Sequence, residues 1–219
     1  MSTTKIALVF PGQGSQIVGM GKDFFANFKE SALIFEEASD HISLNLKKLC
    51  FEGPTDELTL TENLQPALFT LEAAMFAAVR AHCGIEPVVC AGHSLGEYSA
   101  LHAAGSLSIA DGVKLTRARG QAMQQAVPVA VGTMAAVLGH DNSKIEAICA
   151  RAREISGEVV EPANFNAPGQ VVIAGTVDAI KAVTTLVSDS VEFKGARALA
   201  LSVSAPFHCS LMAPAKKAM

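Results

Sequence analysis

The sequence predicts an α/β fold with a ferredoxin-like βαββαβ unit set into it, and three observations carry that prediction. Ile6-Ala-Leu-Val-Phe10 is an unbroken apolar run closed by Pro11-Gly12, the pattern of a strand buried on both faces. Gly92-His-Ser-Leu-Gly96 stands between a second short apolar run, Pro87 to Gly92, and a helical stretch reaching about Ala104. From about Val127 the strand and helix signals follow the order β-α-β-β-α-β, which is the ferredoxin-like arrangement.

The elements between follow from periodicity and end signals. Lys22 to Ala38 predicts a helix, with Phe24, Phe28, Ile34 and Phe35 in a partly helical period. Leu64 to Cys83 is a stronger helix. Leu64, Leu68, Leu71, Met75 and Val79 recur at three- and four-residue spacing, with Pro66 expected in the first turn. Ser108 with Asp111 resembles a capping box opening a helix that carries Arg117 and Arg119. In the second part, Thr133 to Leu138 reads as a strand and Ser143-x-x-Glu146 as the capping box of a helix to about Ile155. Strands over 158–161 and 171–174, a helix over 177–187 and a strand over 196–203 complete the unit. The expected division is 1–126 with 204–219 as one domain and 127–203 as a smaller one.

Composition narrows the function classes. Of 219 residues, 50% are hydrophobic and 17% charged, ample for a packed core. A net charge of -4 argues against nucleic acid as partner, since that asks for a basic face. The mean hydropathy of +0.33 comes with no apolar stretch long enough to span a bilayer, so no membrane role is expected. Five cysteines, an odd number without a C-x-x-C pair, read as reduced thiols of a cytoplasmic protein rather than a disulfide or zinc framework.

G-x-S-x-G between a strand and a helix marks a nucleophile elbow. Glycines on either side let the chain turn sharply, so that Ser94 stands exposed at the strand end. The helix behind it points its free N–H groups and positive dipole end at the site, where an oxyanion could be held. A serine needs a base, and the candidates are His41, His82, His93, His102, His140 and His208. His208 follows the last predicted strand in Ser204-Ala-Pro-Phe-His208, which would let it reach an elbow. His93 beside the serine is expected to support the turn. On these grounds alone the base stays open.

Four segments occur in a fixed order: Phe10-Pro-Gly-Gln-Gly-Ser-Gln16, Gly92-His-Ser-Leu-Gly-Glu97, Arg119-Gly-x-x-Met123 and Ala205-Pro-Phe-His-Cys209. Together with Ala163 to Gly175, they resemble the malonyl-CoA:acyl carrier protein transacylases of bacterial fatty acid synthesis, which are related to polyketide synthase acyltransferase domains. That resemblance implies an α/β-hydrolase-like core with an inserted ferredoxin-like subdomain. It implies that Ser94 carries the acyl group, that His208 is general base and acid, and that the N–H groups of Gln13 and Leu95 form the oxyanion hole. It singles out Arg119, rather than Arg117, as the residue that pairs the malonyl carboxylate, for which a guanidinium is well shaped. No cofactor is expected: malonyl-CoA is substrate, and the phosphopantetheine thiol belongs to the acyl carrier protein. The expected protein is a cytoplasmic monomer.

The sequence also departs from this family. Members continue beyond the histidine motif into further core elements, including a Gln or Asn that orients the histidine, so the core is expected to lack its C-terminal part here. Phe207 stands where many bacterial members have Ser and malonyl-selective polyketide acyltransferases have Phe. Two other functions compete. A serine esterase or thioesterase would add an acidic third member, with Glu158, Glu161, Asp178 and Asp189 lying between Ser94 and His208. A non-catalytic carrier-protein-binding module is the other.

Overall fold

Ala7–Phe10 forms β1 and Val89–Gly92 forms β2, a parallel pair in which Phe10 lies opposite Gly92. The computed structural model in which they are seen describes residues 5–128, 130–201, 203 and 205–219. These fall into two compact units, 1–121 and 122–219.

The first unit surrounds its short sheet with helices. The predicted helix over 22–38 is two: α1, Lys22–Asn27, and α2, Lys29–Ile42, broken at Phe28, whose backbone is extended. Two short helices escaped the sequence reading, α3 (Leu46–Glu52) and α4 (Thr55–Thr59). Each is too short to show a helical period. The long helix α5 runs over Thr61–Cys83, three residues earlier than expected, and so takes Pro66 into its interior. Proline cannot donate to the carbonyl four residues back, here that of Glu62. Arg117 Nη1 donates to that oxygen instead, at 2.8 Å.

After β2 come α6 (Gly96–Ala103) and α7 (Ile109–Ala126). The Ser108 expectation holds: its Oγ accepts the Asp111 N–H at 3.0 Å and donates to the Asp111 carboxylate. The core of this unit is built on Leu64, Leu68 and Phe69 of α5, with Phe35, Leu46 and Leu95.

The second unit is the antiparallel sheet β4-β5-β3-β6, made of β3 (Gly132–Leu138), β4 (Val160–Ala167), β5 (Gln170–Thr176) and β6 (Arg197–Ala200). With α8 (Asn142–Ser156) and α9 (Val177–Asp189) this is the ferredoxin-like topology the sequence predicts. Local details differ. The α8 cap is Asp141, which accepts the Lys144 N–H, while Ser143 donates to Asp141. β4 runs through Asn164 and Asn166 to Ala167 with two register shifts against β5. The strand predicted over 196–203 is seen as β6, and residue 202 lies outside the described residues.

The sequence assigned 204–219 to the larger domain. Residue 204 lies outside the described residues, and 205–219 group with the second unit. Ala205, Phe207, Met212 and Ala215 pack with Met123, Met134 and Ala174. A 3-10 turn, Ser210–Met212, leads into α10, Ala213–Ala218.

Candidate active site

Ser94 sits at the end of β2 with φ 54°, in the left-handed region that a serine enters only under constraint. The constraint is visible on both sides. The His93 N–H donates to Phe10 O at 3.0 Å, which ties the turn to β1. The Gly96 N–H returns to His93 O and the Glu97 N–H to Ser94 O, closing the turn into α6. A Cβ on Gly92 would lie 1.9 Å from the Gly96 carbonyl carbon, and one on Gly96 would lie 2.3 Å from Phe10 O. The two glycines of G-x-S-x-G are therefore required by contact as well as by turning. The turn is the elbow the motif predicts.

Leu95 is the N-cap of α6 and is 1% exposed. Among the described residues its N–H donates to no backbone acceptor, so it belongs to the open end of the helix beside Ser94. Gln13 stands in the turn after β1. A Cβ on Gly12 would lie 2.6 Å from His93 O, so the Gln13 loop runs in direct contact with the elbow. His93 is thus a supporting residue of the turn, as expected.

Arg119 reaches the elbow from α7. Its Nη2 donates to Ser94 Oγ at 3.0 Å and its Nη1 to Gln65 Oε1 at 2.8 Å. Its guanidinium also lies 5.7 Å from the centre of the Tyr98 ring, a cation–π distance. Gly120 makes this reach possible, since a Cβ there would lie 2.6 Å from Glu62 Cα and Thr61 O, and its absence lets α7 press on the start of α5. Burial draws the Arg119 pKa below its ordinary value, with Tyr98 and Glu97 pulling the other way. No ion pair among the described residues includes Arg119. Arg117, two residues earlier, is held by Glu62 O, Asn63 Oδ1 and, at 3.8 Å, the Glu62 carboxylate.

Gln65 escaped the sequence reading. It is 2% exposed, and no local pattern of the sequence marks it.

His208 belongs to the second unit, exposed in the turn after Phe207, and its φ of 61° is also left-handed. Its loop is anchored on both sides. Phe207 is buried, the Cys209 thiol donates to Pro206 O, and the Ser210 N–H donates to Glu161 Oε2 at 2.6 Å. Among the described residues no cluster of three or more His, Cys, Asp or Glu side chains could hold a metal ion.

The site is thus a serine elbow with a buried guanidinium on its Oγ, an arrangement that could hold an acyl group. The family model described as "Acyl transferase domain" matches residues 7–219. The chain belongs to the acyl transferase family. It is 46% identical over 213 residues to the malonyl CoA-acyl carrier protein transacylase of Bacillus subtilis, covering 97% of this chain and 65% of the relative. The chain thus spans about two thirds of the length of that curated relative. The crystal structure of the transacylase from Clostridium perfringens superposes with a TM-score of 0.90 at 40% identity, covering 98% of this chain and 66% of that one. A malonyl-transacylase in complex with a type II polyketide acyl carrier protein gives 0.91 at 42%, covering 98% and 68%. The acyl transferase fold is therefore the one expected, an α/β-hydrolase-like core with a ferredoxin-like subdomain.

Proposed function

We propose that this acyl transferase moves a malonyl group from malonyl-CoA to the phosphopantetheine thiol of an acyl carrier protein, through a malonyl ester on Ser94. The observation that carries this reading is the hydrogen bond from Arg119 Nη2 to Ser94 Oγ. An acyl group on that oxygen holds its distal carboxylate only a few bonds away, within reach of a guanidinium already turned toward it. The same arginine has nothing to pair in an acetyl group.

In the first half-reaction Ser94 Oγ attacks the thioester carbonyl and gives its proton to His208. The oxyanion is held by the Gln13 and Leu95 N–H groups, and the coenzyme A thiolate leaves with the proton from His208. In the second half the carrier thiol gives its proton to His208 and attacks the ester, and the departing Ser94 Oγ takes that proton from His208. No cofactor takes part in this scheme. The partners are malonyl-CoA and the carrier protein, and the place is the cytoplasm. No helix among the described residues is long and apolar enough to cross a membrane. The domain limits of the sequence reading, 1–126 with 204–219 and 127–203, remain our proposal.

Incubation with malonyl-CoA followed by peptide mass mapping tests the reading. The expected result is one malonyl ester on Ser94 that a carrier protein removes as malonyl-carrier. Free malonate released without transfer would favour a thioesterase, and no adduct at all would favour a binding module.

A further inference from the structure

Glu72 is the one acidic side chain among the described buried residues. It is 6% exposed, and neither carboxylate oxygen has a hydrogen-bond partner among the described residues. It sits on α5 seven residues after Gln65, two turns along and therefore on the same face. Gln65 holds Arg119. Glu72 faces Ser99 of α6, whose hydroxyl is equally buried and equally unpartnered. Ser99 in turn lies one turn after Leu95, the residue that follows Ser94. One face of α5 thus contacts the guanidinium at one end and the elbow helix at the other.

The surroundings offer the carboxylate no charge. Burial is the largest influence on Glu72 and raises its pKa to about 7, with the Ser99 hydroxyl pulling in the opposite direction. No Lys, Arg or His from any element packed against α5 contributes. The side chain also borders a cavity of about 330 Å³ between α5 and β1, lined by Leu8, Phe10, Leu68 and Phe76, in which Ser15 is the other polar residue. Its hydroxyl is committed to Gly12 O. A buried carboxyl without a partner keeps its proton, because the neutral form avoids the desolvation of a charge.

We propose that Glu72 is a positioning residue that acts as a neutral acid, its O–H turning to donate to Ser99 Oγ and so fastening α5, with Gln65 and Arg119, to the helix of the Ser94 elbow. This rests on the reading of Ser94 as nucleophile. Ionisation removes the Glu72 donor and sets a charge between α5 and α6 that only the Ser99 hydroxyl can serve, so the fastening is full at acid pH and weakens as the pH rises through 7.

Three measurements on the whole chain test this. The carboxyl of Glu72, followed by carbon NMR, should titrate near 7; a midpoint in the ordinary range around 4.5 overturns the proposal. In urea unfolding, the folded carboxyl binds its proton more tightly than the unfolded one. Its stabilising share is therefore full below about 4.5 and lost as pH rises through 7, a change of roughly 300-fold in the unfolding constant. Glu72→Gln, always neutral and still a donor, should remove that slope; an unchanged slope overturns the proposal. For malonyl loading of Ser94, the ratio of Glu72→Gln to wild type should climb between pH 6 and 8, and Glu72→Ala should load more slowly than either. Ser99→Ala should reproduce the slower loading. Flat ratios in all variants overturn the positioning role. If wild type never loads, the reading of Ser94 fails, while the titration and the urea series still decide whether Glu72 is neutral.

Discussion

Arg119 and Ser94 are joined by a 3.0 Å hydrogen bond from Nη2 to Oγ, across 25 residues of sequence. The guanidinium therefore occupies the place beside the nucleophile before any acyl group arrives. On the proposed function, selectivity for a carboxylate depends on this pair.

Removing one partner of a buried, hydrogen-bonded charge pair costs about 2–5 kcal/mol. Malonyl transfer by Arg119→Ala should fall at least ~30-fold in kcat/KM, at roughly 1.4 kcal/mol per factor of ten. Acetyl transfer should fall little or rise. Arg117→Ala should keep the wild-type malonyl/acetyl ratio, because Arg117 is bound to the start of α5. Equal losses for malonyl and acetyl in Arg119→Ala would make the arginine structural.

Arg117→Ala has a different signature. It leaves the Glu62 carbonyl without its donor in a helix that Pro66 has already deprived of one. The melting temperature should drop by an amount matching about 1–3 kcal/mol. Thermal unfolding of the variant checks this, and an unchanged transition would contradict it.

Gln65→Leu removes the acceptor of Arg119 Nη1 inside the protein. The guanidinium then loses one of its two fixed partners, and malonyl kcat/KM should fall by about tenfold, a loss of 1.5 kcal/mol being typical of a hydrogen bond to a charged group. Gln65→Glu should instead neutralise the arginine and raise acetyl relative to malonyl use. Steady-state kinetics with both thioesters distinguishes the two.

His208→Ala should slow both half-reactions by roughly 10²–10⁴-fold, the range of general acid–base help, with the fold retained. Rapid-quench measurement of Ser94 loading and of transfer would show it. Should His93→Ala carry the loss instead, the base is misassigned.

The thiols sort by burial. Burial pushes both Cys50 and Cys149 up to about 12, so neither forms thiolate near neutrality. Cys83 is exposed and should be the first to react with iodoacetamide. Cys50 and Cys149 should label only after unfolding, as peptide mapping over time would reveal.

The elbow and the ferredoxin-like order were legible because each depends on local signals. Glycines flank Ser94, and apolar runs alternate with capped helices after Val127. Arg119 is singled out only by the resemblance of Arg119-Gly-x-x-Met123 to the family's pattern. Gln65 was not legible, because its importance comes from a helix 54 residues away, and no local pattern records such a meeting. The start of α5 was misplaced for a related reason. Pro66 is tolerated inside the helix only because Arg117, from α7, serves the carbonyl that proline abandons. The end of the chain reads from the sequence as a return to the larger domain, and its described residues Ala205, Phe207, Met212 and Ala215 pack with Met123, Met134 and Ala174.

Among the described residues, four that are not glycine lie at positive φ, and Ser94 and His208 are two of them. Glycine would be more comfortable at either place, and any selection for stability alone would drift toward it. The side chains proposed to do the chemistry thus stand where the backbone would rather have none. An engineer screening this protein for heat resistance should find Ser94→Gly and His208→Gly among the hits, relief of about 1–2 kcal/mol of left-handed strain outweighing the entropy that glycine adds to the unfolded chain. Such a screen would select inactive protein unless turnover were assayed alongside.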